Sequence, residues 1–295
     1  MSLVGEILDQ ISFNTKGRLI YRGIRNNDYE PFLPSIFREN KKELFNNQEE
    51  SQIIANFLKD NSRMRYLPII NTLSHMQHYE YPTRLIDLTT NPLVALFFAC
   101  WDKEENYQND GVLYSSIENE YELNDGTPSI YDSVTHLIDQ DLRTSLWLNI
   151  ALCSTISEVA NLLIARFNEF KLRFSELMHS KPSRDFANFI SSELYTLLSK
   201  HLIDKKTYSD FNSFFDFVYS ATGSSCYIPS INERIFSQHG LHIVIAGKYI
   251  NNIEVIKPQG LSYFHRIIID VEKKQPILDE LDRLYKVNYK ELKQS

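Results

Sequence analysis

The chain has 295 residues, of which 43% are hydrophobic and 13% aromatic, and its formal net charge at pH 7 is -7. This length supplies one large core or two modest ones, and the negative charge excludes the overall basic field that drives sequence-independent binding of nucleic acid. The three cysteines, Cys100, Cys153 and Cys226, lie far apart, which argues against a disulfide framework and a zinc knuckle.

The sequence predicts a cytoplasmic protein without a membrane partner. Residues 1–17 include Glu6 and Asp9 and lack the basic start and uninterrupted apolar core of a signal peptide. No run approaches the roughly 18 continuous apolar residues that cross a bilayer. An odd number of separated cysteines suits a reducing compartment.

The first part of the chain mixes short helices and strands. Apolar spacing, β-branched content and turn residues distinguish the two. A loop is expected to run to about Thr90, after which Pro92 opens a helix capped by Thr90 or Asn91. The patterns indicate helices over residues 4–12, 41–65, 67–81 and from 92 onward, and strands over 18–24 and 111–117.

The second part begins with a long helical segment. Residues 131–221 contain one proline, no glycine and helical periodicity nearly throughout, so we expect three to five helices there. The elements after it are expected to be strands over 224–230, 241–247 and 265–271 and a helix over 273–287.

This order of elements favours an α+β fold with a mixed or antiparallel sheet over a regular series of parallel βαβ units. The core is expected to be divided by a large helical insertion. The three segments are 1–130, the N-terminal part of the core, 131–222, the insertion, and 223–295, the C-terminal part of the core. The chain has no G-x-x-x-x-G-K-[ST], H-E-x-x-H or G-x-S-x-G motif, so the common phosphate-loop, zincin and hydrolase interpretations lack support.

The first candidate site group is Tyr21-Arg22-Gly23, at the end of an apolar strand. Arg22 must reach solvent, pair with a carboxylate such as Asp87, or bind an anion, and its planar fork of donors suits phosphate. The glycine permits close approach of a ligand or of another backbone. A structural ion pair and an anion site are both open interpretations.

The second group is Gln77, His78 and Tyr81. His75 and His78 share one helix face, but no third metal ligand stands nearby, so we expect no metal. Gln77 and His78 instead offer neutral hydrogen bonds to a polar ligand. Tyr21 or Tyr81 offers a ring that stacks on it.

The third group is Arg84, Asp87, Thr89 and Thr90, just before the helix that starts at Pro92. Arg84 and Asp87 are three residues apart and are expected to form a local ion pair that holds the loop. The helix start is also an anion site, because its first amide groups lack partners and its dipole favours negative charge. Arg84, Thr89 and Thr90 are therefore ligand-binding candidates.

The fourth group lies in the segment NERIFSQHGL, residues 232–241. Glu233 and Arg234 are able to pair with each other. Gln238 precedes a glycine that opens a strand, a position where side chains often lie at the mouth of a cleft.

Together these segments resemble the FRG domain family, which is named for an aromatic-Arg-Gly motif near its start. The blocks that carry the resemblance cover most of the chain outside the helical segment. This resemblance implies a component of bacterial phage-defence or toxin-like systems. The blocks are Tyr21-Arg22-Gly23, QHYEYPTRLIDLTTNPLVALFFA from Gln77, Asp110-Gly111-Val112, YIPSINERIFSQHGL from Tyr227 and RIIIDVEKKQPILDEL from Arg266.

A more distant resemblance, to the ADP-ribosyltransferase fold, implies a reaction. Such enzymes hold NAD with the arginine of a first strand, continue with a hydroxyl-bearing strand that leads into a helix, and place a catalytic glutamate on a later strand. Arg22 corresponds to the first element and Thr89-Thr90 to the second. At the third, Gln238 stands where those enzymes have glutamate, and Glu233 lies five residues earlier.

The resemblance thus implies an NAD-binding, ADP-ribosyltransferase-like or NAD-hydrolysing protein, with NAD as substrate and a protein or nucleic acid as acceptor. Its implied catalytic residues are Arg22, Thr90, Gln238 and Glu233. An amide at Gln238 supplies no negative charge, and loss of one such group costs about 10²- to 10³-fold in rate. The alternative is therefore a non-catalytic FRG module that binds a nucleotide or a partner.

The helical segment allows another role, binding a protein partner. Its many phenylalanines are expected in the core, and a partner surface is the other interpretation. They are Phe167, Phe170, Phe174, Phe211, Phe214, Phe215 and Phe217.

Overall fold

The computed structural model describes residues 2–11, 18–102, 108–117, 144–173, 191–220, 224–226, 240–258 and 264–293. Its helices are α1 (Leu3–Ile11), α2 (Glu39–Leu44), α3 (Glu50–Asp60), α4 (Ile69–His78), α5 (Pro92–Cys100), α6 (144–152), α7 (Ile156–Arg173), α8 (Ser192–His201), α9 (Lys205–Ser220), α10 (Val271–Glu280) and α11 (Tyr289–Lys293). Its strands are β1 (Leu19–Ile24), β2 (Leu85–Thr89), β3 (Gly111–Ile117), β4 (Ser224–Cys226), β5 (Gly240–Val244), β6 (Lys248–Ile250), β7 (Ile253–Ile256) and β8 (His265–Ile269).

The described strands form one large and one small sheet. The large sheet has six strands in the order β4-β5-β2-β1-β3-β8, and each neighbouring pair is antiparallel. The strands β6 and β7 form a separate antiparallel pair. The expected α+β fold with an antiparallel sheet is confirmed.

The large sheet lies between two apolar clusters. Tyr21, Leu113 and Ile267 pack with α1, α5 and α10 in one cluster. Ile20 and Ile86 pack with α3, α4 and the helices α6 to α9 in the other. Adjacent residues such as Ile20 and Tyr21 enter different clusters because successive side chains of a strand point to opposite faces.

The helix α5 lies directly on β1 and β3. A Cβ atom at Gly23 would lie 1.8 Å from the Ala95 carbonyl oxygen, and one at Gly111 would lie 2.1 Å from that of Ala99. The close approach expected at Gly23 is therefore that of a helix backbone. This contact fixes the start of α5 beside the end of β1.

The helix predicted over residues 41–65 is divided in the structure. It forms α2, α3 and a 3₁₀ turn over Ser62–Tyr66. Asn46 and Asn47 adopt positive φ angles of 53° and 56°, which end α2. Asparagine tolerates this left-handed conformation better than most residues, so the break has a local cause.

The prediction of a loop up to about Thr90 is wrong, because residues 85–89 form the strand β2. The local ion pair between Arg84 and Asp87 is wrong for the same reason. Residues three apart share a face on a helix but point to opposite faces of an extended strand. Arg84 is fully buried and binds Glu50 instead, through Nε to Oε1 at 2.8 Å and Nη2 to Oε2 at 2.6 Å.

The helical segment shares its core with the sheet. Five of the singled-out phenylalanines are at most 2% exposed and belong to the cluster that contains Ile20 and Ile86. For them the core interpretation is confirmed, while Phe174 and the side chain of Phe217 lie outside the described residues. The boundaries 131 and 222 stay predictions. Among the described residues, no helix has the length and apolar character to cross a membrane.

Candidate functional site

A cavity of about 500 Å³ opens where β1 and β2 meet. In the described part of the chain these strands share one paired position, Tyr21 opposite Thr89, whereas β1 pairs with β3 along its whole length. The short ladder leaves space between the strands, which the start of α5 and the segment after β1 enclose. The lining residues are Tyr21, Arg22, Gly23, Ile24, Arg25, Tyr29, Glu30, Arg38, Asp87, Leu88, Thr89, Val94, Ala95, Phe98 and Trp101.

Arg22 bridges the gap between the two strands. Its Nη1 donates a 2.5 Å hydrogen bond to the backbone carbonyl of Asp87, so a side chain replaces a ladder hydrogen bond. Its Nε is buried, and neither Nε nor Nη2 donates to any described residue. Burial is the main cause that lowers the pKa of Arg22 to about 10; Asp87 opposes this shift, and the Arg38 charge contributes to it. The guanidinium is therefore cationic at neutral pH, with donors left unsatisfied.

Arg25 and Arg38 add positive charge to the same cavity. Arg25 pairs with Asp102 at 3.0 Å, and Arg38 donates from Nε to the Leu33 carbonyl at 2.9 Å. Burial lowers the pKa of Arg38, while Glu30 opposes that shift. Like charges gathered in one partly enclosed space repel each other, and a bound anion would relieve that repulsion.

Asp87 is the carboxylate at the junction of β1, β2 and β5. It lies opposite His242 in the β2–β5 ladder, and its Oδ1 is 2.9 Å from His242 Nδ1. Burial alone would raise the pKa of Asp87, but His242, Arg22 and Gln77 together lower it to about 2. The side chain is nevertheless 65% exposed, so Asp87 presents a fixed negative charge to the cavity at neutral pH.

One face of α4 holds this carboxylate in place. Ser74 and Gln77 lie three residues apart on α4 and therefore share a face. Ser74 Oγ is 3.3 Å from His242 Nε2, and Gln77 Nε2 donates to Asp87 Oδ1 at 2.5 Å. The Gln77 amide is itself oriented, because its Oε1 accepts a hydrogen bond from the Thr83 hydroxyl. The result is a chain of polar contacts that ends at Asp87.

The elements around the cavity match a known domain. Residues 17–108 match the FRG domain. This range contains β1, α4, β2 and α5 and every residue that lines the cavity, and the match supports the expected FRG resemblance. Comparison with curated proteins and with solved structures gives no match.

Several predicted residues meet within the segment that matches the FRG domain. Tyr21, Arg22, Gly23 and Thr89 all line the cavity. The Thr89 hydroxyl accepts from the backbone amide of Asn91 at 3.0 Å and so shapes the turn into α5. Gln77 lies beside the cavity and reaches it through Asp87.

Other predicted residues lie elsewhere. Thr90 is not among the cavity residues, and the cap of α5 is Asn91, whose side chain accepts from the Leu93 amide at 3.0 Å. His78 is exposed at the end of α4 and lies edge-on to Tyr79.

Tyr81 and Arg84, which were expected to bind a ligand, lie away from the cavity. Tyr81 packs edge-on against Phe57, with ring centroids 5.2 Å apart, and therefore belongs to the core. Arg84 is sealed from solvent by its pairing with Glu50. Neither side chain lines the cavity.

Glu233 and Gln238 lie outside the described residues, so their roles stay predictions. Within the described part of the chain, no group of three His, Cys, Asp or Glu side chains is arranged to hold a metal ion.

Sequence reasoning missed His242, Arg25 and Arg38. His242 had a usable signal, since it is a polar residue in the middle of the apolar strand LHIVIAG and is 4% exposed. A buried polar side chain requires a partner. That partner is Asp87, which the sequence singled out only as a structural partner of Arg22 or Arg84.

Proposed function

We propose that the FRG domain cavity binds NAD and that the protein is an ADP-ribosyltransferase-like or NAD-hydrolysing protein. The observation that carries the proposal is Arg22, a cation at the cavity wall with unsatisfied donors. Arginine binds phosphate through several parallel donors, so the pyrophosphate of NAD is its natural ligand here.

The rest of the cavity supports a nucleotide as well. Its volume of about 500 Å³ lies within the roughly 300–1,000 Å³ of small-molecule sites. Arg25 and Arg38 supply further positive charge, while Tyr29, Phe98 and Trp101 supply aromatic surface for a base or a nicotinamide ring. Cationic groups that suit phosphate and aromatic groups that suit a ring thus meet in one space.

The first test is NAD turnover and NAD binding by the purified protein. We expect release of nicotinamide, alone or with a protein or nucleic-acid acceptor, and we expect Arg22→Ala to weaken NAD binding about 10-fold or more, because a charge-assisted hydrogen bond is lost. Calorimetric titration measures the binding, and nicotinamide release measures the reaction.

Arg63→Ala is the matched control, since Arg63 is exposed in a 3₁₀ turn and does not line the cavity. It should bind NAD as the unaltered protein does. An unaltered protein that shows no NAD binding, or an Arg22→Ala variant that binds equally well while folded, would refute the proposal. Tight binding without nicotinamide release would instead assign the protein to the non-catalytic FRG modules.

An effector role in bacterial phage defence or as a toxin belongs to the same proposal. Its support is the FRG match together with a cavity suited to a nucleotide. Expression of the protein should then deplete cellular NAD or modify a cellular acceptor, and Arg22→Ala should remove this effect.

A further inference from the structure

Ser74, His242 and Asp87 lie in contact in the order of a hydrolase triad. The distances are 3.3 Å from Ser74 Oγ to His242 Nε2 and 2.9 Å from His242 Nδ1 to Asp87 Oδ1. A nucleophilic triad exposes its serine and buries its acid. Here the exposure is reversed, because Ser74 and His242 are each 4% exposed and the Asp87 side chain is 65% exposed. The reactive end of the series is therefore the carboxylate.

The two oxygens of that carboxylate have different surroundings. Oδ1 is occupied by Gln77 Nε2 and lies against His242 Nδ1. Oδ2 accepts no hydrogen bond from any described residue, and Asp87 lines the cavity. An ionised carboxylate only accepts hydrogen bonds. A ligand that covers Oδ2 must therefore bring a donor, since an unpaired charge removed from water is costly.

The opposite requirement holds at Arg22. Its Nε and Nη2 donors lack acceptors among the described residues, so a ligand there must bring acceptor oxygens. The backbone carbonyl of Asp87 joins the two residues directly, because Arg22 Nη1 donates to it. A ligand that fills the cavity thus lies against two neighbouring groups. The Asp87 carboxylate requires a hydrogen-bond donor from it, and the Arg22 guanidinium requires acceptors.

We infer that Asp87 is a ligand-binding carboxylate that selects a sugar-bearing nucleotide, whose hydroxyl donates to Oδ2, over a bare phosphate. Gln77 and His242 are its positioning residues. The inference rests on the proposed NAD site and adds the group that recognises the sugar.

The test compares two ligands that the site does not consume, ADP-ribose and inorganic pyrophosphate, by calorimetric titration. Asp87→Asn should weaken ADP-ribose binding about 10-fold, because a hydrogen bond to a charged acceptor is lost. The same change should strengthen pyrophosphate binding about two- to fivefold, because a like charge leaves the cavity. The two affinities should move in opposite directions.

Glu30→Gln is the matched control, since Glu30 lines the same cavity and is not part of the series around His242. It removes the same charge, so we expect both ligands to bind slightly more tightly. A loss of ADP-ribose affinity in Glu30→Gln equal to that in Asp87→Asn would overturn the assignment, because the loss would then not be specific to Asp87.

The positioning role is tested by Gln77→Met, which keeps the side chain's length and removes both the donor to Asp87 and the acceptor of the Thr83 hydroxyl. It should weaken ADP-ribose binding several-fold in the unaltered background and leave it unchanged in Asp87→Asn, since the effect of Gln77 passes through Asp87. Pyrophosphate binding should not change. Additive losses of affinity in the double variant would overturn this role. If Asp87→Asn fails to fold, the single variant Gln77→Met still tests the inference, because it should weaken ADP-ribose binding and leave pyrophosphate binding unchanged.

Failure of this inference and failure of the proposed function give different results. If the unaltered protein binds NAD but Asp87→Asn shifts both probe affinities in the same direction or neither, the inference alone is overturned. If the unaltered protein binds no NAD, the proposed function is overturned and the inference with it.

Discussion

Gly23 is the position where the backbone of α5 comes closest to β1. A methyl group there would lie 1.8 Å from the Ala95 carbonyl oxygen and 2.6 Å from the Ala99 amide nitrogen. Both neighbours are backbone atoms of a buried helix, so neither moves without displacing α5. The aromatic-Arg-Gly motif therefore joins a packing requirement at its glycine to the ligand-binding role proposed for its arginine.

Gly23→Ala should consequently lower the free energy of unfolding by about 3 kcal/mol, the upper end for overpacking in a core. Chemical denaturation measures this loss. Gly5→Ala is the control, since the nearest atom to its new methyl group would be the Ser2 hydroxyl oxygen at 2.9 Å, on a small side chain near the chain start. We expect a change within about 1 kcal/mol, because alanine also favours the helix. Equal losses in the two variants would contradict the packing argument.

Asp87 illustrates which part of a site a single sequence conceals. Its partners Gln77 and His242 lie 10 and 155 positions away, and only the packing of α4 on the β2–β5 pair brings them together. Spacing rules describe neighbours on one helix or one strand. Arg22 was predictable because it is a charged residue in an apolar strand beside a glycine, and Thr89 because it precedes the start of a helix, whereas Asp87 acquires its role from tertiary contacts.

The strand β2 shows how a local pattern can mislead. The stretch that contains β2 carries Arg84, Asp87 and the Thr89-Thr90 pair after the turn-forming Tyr81-Pro82, so its sequence is typical of a polar loop. Pairing with β5 along five positions makes it a strand. The α+β fold and the helix at Pro92 were nevertheless predictable, because apolar periodicity and proline position act locally.

The buried ion pair between Arg84 and Glu50 connects β2 to α3. Lys248 of β6 lies 4.0 Å from the same carboxylate and is also fully buried. The single negative charge of Glu50 therefore lies beside two buried positive charges. Arg84 further donates to the carbonyls of Ile245 and Gly247, both at 3.0 Å. These contacts hold the element that carries Asp87 and Thr89.

Glu50→Gln should lower the free energy of unfolding by about 3–5 kcal/mol, because it leaves buried positive charge uncompensated. The control is Glu169→Gln, which breaks the partly exposed Arg166–Glu169 pair on α7 and should cost no more than about 1 kcal/mol. Denaturant titration of both variants measures these losses in the free energy of unfolding. A loss in Glu50→Gln as small as that in the control would mean that the pair is unimportant to stability.

At the level of the whole molecule, the helical segment and the sheet form a common core. Trp147, Phe167 and Phe214 belong to the same cluster as Ile20 and Ile86. On the other face of the sheet, the backbone of α5 packs closely against Gly23 and Gly111. The cavity between β1 and β2 is thus formed by elements that packing fixes on both sides, which is what a pre-formed ligand site requires.

The central claim is that this cavity binds NAD. A crystal structure of the protein with NAD, at a concentration that saturates binding in solution, tests it most directly. The pyrophosphate should lie within hydrogen-bond distance of Arg22, and a ribose hydroxyl should lie within hydrogen-bond distance of Asp87 Oδ2. NAD bound at another surface, or a cavity that stays empty under these conditions, would contradict the claim.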